Sequence, residues 1–147
     1  MPIQSLEELE ELVAGAQHAS VAVDMMNQAA YDIRYQNPAL TYQVAQQAVG
    51  RANAANYTKG LADANRILGI ANALLNDYPA ALESMLAALE FYDQADDHEG
   101  GVQTTAGLAG VYQLMGDYTT ALDMHNRVLA RERRKGNPEL RSNTLYN

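Results

Sequence analysis

The stretch LGIANALLNDYPAALESMLAALEFY, residues 68–92, is echoed forty residues later in the chain. Set in that register, Leu68, Ala71, Asp77, Tyr78, Ala81, Leu82 and Leu89 meet Leu108, Val111, Asp117, Tyr118, Ala121, Leu122 and Leu129, and only the pair of Ala71 and Val111 differs. Unrelated helices rarely share such a mixture of small, aromatic and acidic residues at fixed offsets. A self-similar period of this size marks stacked helical units, each of which buries its apolar face against its neighbours. The expected fold is therefore all-α, an α-α superhelix of helix-turn-helix repeats, and the expected role is that of a binding scaffold.

Working outward, the composition agrees. At 147 residues and 48% hydrophobic, the chain can bury a core. The apolar residues are mostly Ala, Leu, Val and Met, with nine Tyr, one Phe and no Trp, which suits helices packed at close range. Cysteine is absent, so neither a disulfide framework nor a thiolate metal site is available. The N-terminus MPIQSLEELEELV lacks the basic and apolar regions of a signal peptide, and no apolar run reaches membrane-spanning length. These features suggest a cytoplasmic protein without membrane contact. Residues 1–126 carry 16 acidic and 4 basic side chains, whereas residues 127–147 carry 6 basic and 2 acidic ones. An acidic body lacks the basic footprint that nucleic acid requires. The run RVLARERRK (127–135) reads as the last turns of a helix whose dipole favours cations, more than as a phosphate site.

Residues 5–8 read as a capping box in which Ser5 accepts from the Glu8 N–H and Glu8 reaches back. The helix that follows lies outside the forty-residue register, so residues 1–17 are expected to form an N-terminal cap helix. The repeats then fall at about 18–56, 57–96 and 97–136. Helices are expected near 19–35, 38–53, 59–75, 79–94, 99–115 and 119–135. Asn37-Pro38 supplies a cap followed by proline at the first helical position. Asn76-Asp77 and Gly116-Asp117 read as tight turns, with Asn or Gly at positive φ and Asp capping the next helix. Gly60 and Gly100 fall in the polar connections NYTKG and DDHEG. Ala81 and Ala121 mark close helix crossings. Residues 137–147 are expected to begin a truncated fourth repeat, and the chain to be part of a longer protein.

With those residues in view, the chain resembles the tetratricopeptide repeat family. The family pattern has a Leu-Gly pair, an aromatic three residues on, a Gly-Asp-Tyr turn, an Ala three residues after that Tyr, and a later Ala-Leu. Leu68-Gly69, Asp77-Tyr78, Ala81 and Ala88-Leu89 match it, as do Leu108, Tyr112, Gly116-Asp117-Tyr118, Ala121 and Leu129. The departures are Asn72 for an aromatic, Asn76 and Ala109 for Gly, and Val128 for Ala. The forty-residue version resembles two groups, the N-terminal repeat regions of bacterial signalling proteins and the cell-polarity adaptor type, and the opening DMMNQAAYDIRYQNPALTYQVAQQAV resembles the first repeat of the bacterial group.

The resemblance implies a module that recognises proteins or peptides on a concave surface built from the first helix of each repeat. Position by position, that surface would take Met26, Asn27, Ala30, Ile33 and Arg34 from the first repeat. Asp63, Arg66, Ile67, Ile70 and Leu74 would come from the second, and Gln103, Ala106, Gly107, Gly110, Gln113 and Leu114 from the third. Tyr146 and Asn147 would begin the fourth. The Asn that relatives use to clamp a peptide carboxylate is matched by Asn27 and Asn147, but Ile67 and Gly107 replace it between them, so the clamp is incomplete. Gly107 and Gly110, three apart in one helix, suggest close approach of another backbone. The alternatives are a free-standing adaptor bridging two partners and a homodimer formed through an uncovered end repeat.

Catalytic patterns are missing. There is no HExxH, no phosphate-cradling glycine loop, no GxSxG and no Cys nucleophile. His18, His98 and His125 are far apart, and His125 takes a place where the family packs an aromatic. Glu90, Asp93, Asp96, Asp97 and Glu99 lack the spacing of a calcium loop. The sequence therefore gives no reason to expect an enzyme, a metal or a cofactor.

Overall fold

The computed structural model describes residues 2–136. Among them are seven helices and no strand: α1 (Leu6–Val13), α2 (Ala19–Asp32), α3 (Pro38–Ala54), α4 (Thr58–Leu74), α5 (Tyr78–Gln94), α6 (His98–Leu114) and α7 (Tyr118–Gly136). The helix expected over 137–147, with Tyr146 and Asn147, lies outside the described residues.

Four of the turns are built alike. Asn56, Asn76, Asp96 and Gly116 have φ of 52°, 66°, 57° and 85°. Each residue of positive φ donates its N–H to a carbonyl three residues back. The next residue donates to one five back, as Asp77 does to Asn72 O at 2.8 Å and Asp117 to Tyr112 O at 2.9 Å. This pairing satisfies the carbonyls orphaned at a helix end. The following residue then starts the next helix. Asp77, Asp97 and Asp117 accept from the backbone N–H groups of Ala80, Gly100 and Thr120. Each turn thus ends one helix, the three that carry Asp also cap the next while Tyr57 makes no such bond to α4, and turns this short fold consecutive helices back on one another.

Two local expectations change. Gly60 and Gly100 lie inside α4 and α6, not in the connections; Asn56 and Asp96 make those turns. Glycine is needed at both places for packing. A Cβ on Gly60 would overlap the Tyr57 ring and Val23, and one on Gly100 would overlap the Tyr92 ring. Helix α2 stops at Asp32, short of the expected Tyr35. Gln36 holds the place that Asn56 holds twenty residues on, and an L-residue with a long side chain disfavours positive φ. Residues 33–36 instead form a broader turn closed by Asn37 N–H to Ile33 O at 2.8 Å. Asn37 caps α3 by accepting from the Leu40 N–H, as expected.

Helix α1 covers the first pair. Ser5 caps it by accepting from the Glu8 N–H at 3.2 Å, while the Glu8 carboxylate reaches back to the Gln4 N–H and not to that of Ser5. Leu9 and Val13 enter the core beside Met26, Ala30, Val44 and Ile67. Further on, Ala81, Met85, Leu108 and Val111 form a second cluster, joined by Tyr78, Leu82 and Leu89. Ala81 is fully buried and Ala121 nearly so, which fits close crossings.

Helices α2 and α4 touch, as do α4 and α6, whereas α3, α5 and α7 do not touch one another. The first helices of the pairs therefore form the inner row and the second helices fan outward. That curvature is what makes a concave face. No helix among the described residues is long and apolar enough to cross a membrane.

Candidate functional site: the inner groove

A groove of about 440 Å³ runs between α2 and α4 on the inner row, with Gln103 of α6 at its far edge. Five expected residues line it: Asn27, Asp63, Arg66, Ile67 and Gln103. Asp24, Gln28, Tyr31, Tyr57 and Lys59 complete its wall.

Polar contacts tie the groove together. Asn27 is 6% exposed and donates Nδ2–H to Gly60 O at 3.1 Å, which fixes α2 against the start of α4. Its Oδ1 is buried and has no hydrogen-bond partner among the described residues. Buried carbonyl oxygens are nearly always paired, so this one, shielded from solvent, is an exception. Tyr57 donates its hydroxyl to Asp24 at 2.8 Å; burial first, then that bond, pushes the phenol up to about 12. Tyr92, from α5, donates to Asp63 and accepts from Arg66 Nε at 3.1 Å. Burial raises the Asp63 carboxyl above its ordinary value, while the Tyr92 hydrogen bond and the Arg66 charge act in the opposite direction.

Two guanidinium groups flank Tyr31. Arg34 stands 3.7 Å from its ring centroid and Arg66 stands 5.6 Å away. Arg34 also covers Tyr35 at 4.5 Å and donates to Tyr31 O at 2.7 Å. Cation–π contacts of this kind hold both planar cations beside Tyr31 while leaving donors to spare, and of the two only Arg66 lines the groove. The groove wall is mixed in charge, with Asp24 and Asp63 beside Lys59 and Arg66.

The remaining expected residues are placed differently. Met26 and Ile33 are buried in the first core cluster, so their side chains pack helices together and do not face the groove. Ile70 packs half-buried beside the second cluster. Gly107 faces the Met85 side chain at 3.4 Å, and Gly110 has nothing within 4 Å; within the described chain, no second backbone approaches either. Leu74, Gln113 and Leu114 are exposed at the other end of the inner row. His125 is exposed, not packed in the core. Sequence reasoning missed Tyr31, Tyr57, Asp24 and Tyr92. The spacing of Tyr31 and Arg34, three apart across the end of α2, was the available signal for the first of these.

A model of the tetratricopeptide repeat family matches residues 60–134. The chain belongs to that family. A crystal structure of the tetratricopeptide repeat domain of FLU from Arabidopsis superposes with a TM-score of 0.71 at 18% identity, over 79% of this chain and 98% of that one. At that identity the likeness speaks for the fold, a helical repeat superhelix. No curated protein matches the chain. Tetratricopeptide repeat domains generally mediate protein–protein interaction and typically carry no catalysis. Fold alone does not name the partner; the groove must do that.

Proposed function

We propose that this tetratricopeptide repeat chain binds a peptide or protein segment in the inner groove and serves as the sensory or regulatory repeat region of a larger bacterial signalling protein. Asn27 carries the binding reading. Its side chain lines the groove with a buried, unpaired Oδ1, which the N–H of a bound segment would complete after a small turn of the amide. Arg34 and Arg66 beside Tyr31 would receive acidic or carbonyl groups of the same segment. The signalling context rests on the forty-residue period and on the resemblance of residues 24–49.

A random peptide library selected on the protein tests the groove. Enriched peptides are expected to shift the backbone amide signals of Asn27, Asp63, Arg66 and Gln103 while leaving those of α3 and α5 in place. A library that enriches nothing, or shifts confined to other helices, overturns the reading. The context is tested by the intact mass of the native product in its source cells, which is expected to lie well above 16.0 kDa.

A second reading, self-association, has its own observation. Tyr118, Leu122 and Leu129 are 68%, 62% and 53% exposed, whereas Tyr78, Leu82 and Leu89, at the same register, are packed against the second cluster. Sedimentation over a wide concentration range decides it: a strict monomer removes this reading and leaves the groove.

A further inference from the structure

One face of α7 stands open where the matching face of α5 is covered. Tyr118, Leu122, His125 and Leu129 are exposed on α7. Forty residues earlier, Tyr78, Leu82, Met85 and Leu89 pack against Leu108 and Val111 of α6, the helix that follows. The residues that follow α7 are NPELRSNTLYN (137–147), and they repeat the pattern that opens α4 and α6. Gly136 holds the place of Asp96, which turns the chain at φ 57°, and Asn137 that of Asp97, which caps α6. Proline at 138 suits a first helical position. Leu140 and Leu145 fall on the positions of Gly60 and Asn65, both buried in α4, whereas Glu139 falls on those of Lys59 and Glu99, both exposed. Arg141 falls on Gly101, where an added Cβ would meet only Arg131 of the following helix, so that position looks away from the preceding one.

We infer that residues 138–147 dock as a further inner helix on the distal half of α7. The side chains at that junction are exchanged in a complementary way. Between α5 and α6, the Tyr92 ring fills the space that Gly100 leaves, and Met85 lies 3.4 Å from where a Cβ of Gly107 would stand. At the next junction Glu132 replaces Tyr92 while Leu140 replaces Gly100, and His125 replaces Met85 while Asn147 replaces Gly107. Bulk lost from the second helix is returned on the first, as close packing requires, and a polar residue meets a polar one. Reach sets the limit. Asn147 corresponds to Gly107, which meets Met85, so the segment covers α7 from His125 to Glu132. Leu108 and Val111, which carry the contact on to Leu82 and Tyr78, have no counterpart in it, so Leu122 and Tyr118 stay open. Docked in this way, Asn143 takes the place of Asp63 and Gln103 and lengthens the wall of the inner groove.

Hydrogen exchange on the whole chain, read residue by residue, tests the docking. The amides of residues 142–147 are expected to exchange about tenfold or more slowly than those of a free peptide of the same sequence, at a rate independent of protein concentration. Leu129→Asp, on the face the segment would occupy, and Leu145→Asp, which leaves α7 unaltered, are each expected to abolish that protection. Leu122→Asp, beyond the reach of the segment, is expected to retain it. Unchanged exchange across α2–α5 shows that each variant is folded. Free exchange of residues 142–147 in the parent overturns the inference, as does protection that survives Leu129→Asp or Leu145→Asp, or that is lost in Leu122→Asp. Protection that appears only as the concentration rises overturns it too, and assigns the face of α7 to a second copy of the chain.

Discussion

The ring of Tyr92 packs so closely against Gly100 that a methyl group there would overlap three of its ring carbons. The ring cannot swing aside easily, because Tyr92 is 1% exposed and its hydroxyl is held by Asp63 and Arg66. Gly100→Ala is therefore expected to destabilise the protein by about 1–3 kcal/mol through overpacking, although alanine favours a helix by about 0.8–1.0 kcal/mol. Gly110→Ala reverses the sign, since nothing lies within 4 Å of that position. It is expected to raise stability by about 0.5–1 kcal/mol. Thermal melts of both variants check the pair, and shifts in the same direction would refute the packing account.

The Tyr92 hydroxyl also sets how stability responds to pH. Burial raises the Asp63 carboxyl above 3.8, and the bond from Tyr92 opposes the rise. The folded protein then keeps a proton that the unfolded chain has released. Stability from this group is greatest below 3.8 and falls as pH climbs towards the raised folded value. Asp63→Asn is expected to flatten that fall, and Tyr92→Phe to steepen it, because the carboxylate loses its donor. Tyr92→Phe should in addition cost about 1–3 kcal/mol for the buried partner left unpaired. Urea unfolding at a series of pH values between roughly 4 and 7 reads both effects.

Much of the array could be read from the sequence, because its signals are local. Asn76-Asp77 and Gly116-Asp117 announce turns, since positive φ and an N-cap each demand a particular residue within two positions. Gly60 and Gly100 misled for the same reason. Glycine in a polar stretch reads as a turn, yet here it makes room for an aromatic ring whose position depends on how helices pack. The groove was half legible. Asn27, Asp63, Arg66, Ile67 and Gln103 follow from the family resemblance, carried position by position onto the first helix of each repeat. Met26 and Ile33 are lost to the core, because α1 and α3 close over the faces they occupy. Periodicity gives the face of a helix, and only the neighbouring helices determine how much of that face stays open.

The turn geometry makes a sharp prediction at Gly116. Its φ of 85° lies where a Cβ clashes with the following carbonyl. Gly116→Ala should cost about 1–2 kcal/mol. Asp117→Ala should cost about 0.5–2 kcal/mol, by removing the acceptor for the Thr120 N–H and hydroxyl. The double variant tests whether the turn acts as one unit. Adjacent residues in a shared turn are expected to couple, so the measured loss should differ from the sum of the two single losses. Strict additivity in chemical denaturation would show that the helix end and the cap act independently.

Leu82 and Leu122 hold the same register position and should nevertheless respond unequally to the same substitution. Leu82 is half-buried against the cluster of Ala81, Met85, Leu108 and Val111, because α6 follows α5 and covers it. Leu122 is 62% exposed on α7. Leu82→Lys must bring a charge to an apolar contact and is expected to cost about 1–3 kcal/mol. Leu122→Lys leaves the lysine in water and should stay within about 0.5 kcal/mol of the parent. Local sequence cannot account for such a difference, since Tyr78-Pro79-Ala80-Ala81-Leu82 and Tyr118-Thr119-Thr120-Ala121-Leu122 offer nearly the same helix start. The difference arises from what stacks on each helix. Equal losses in thermal melts at low protein concentration would mean that Leu122 is covered within the folded chain, whereas a loss at Leu122 that grows with concentration would place a second copy there.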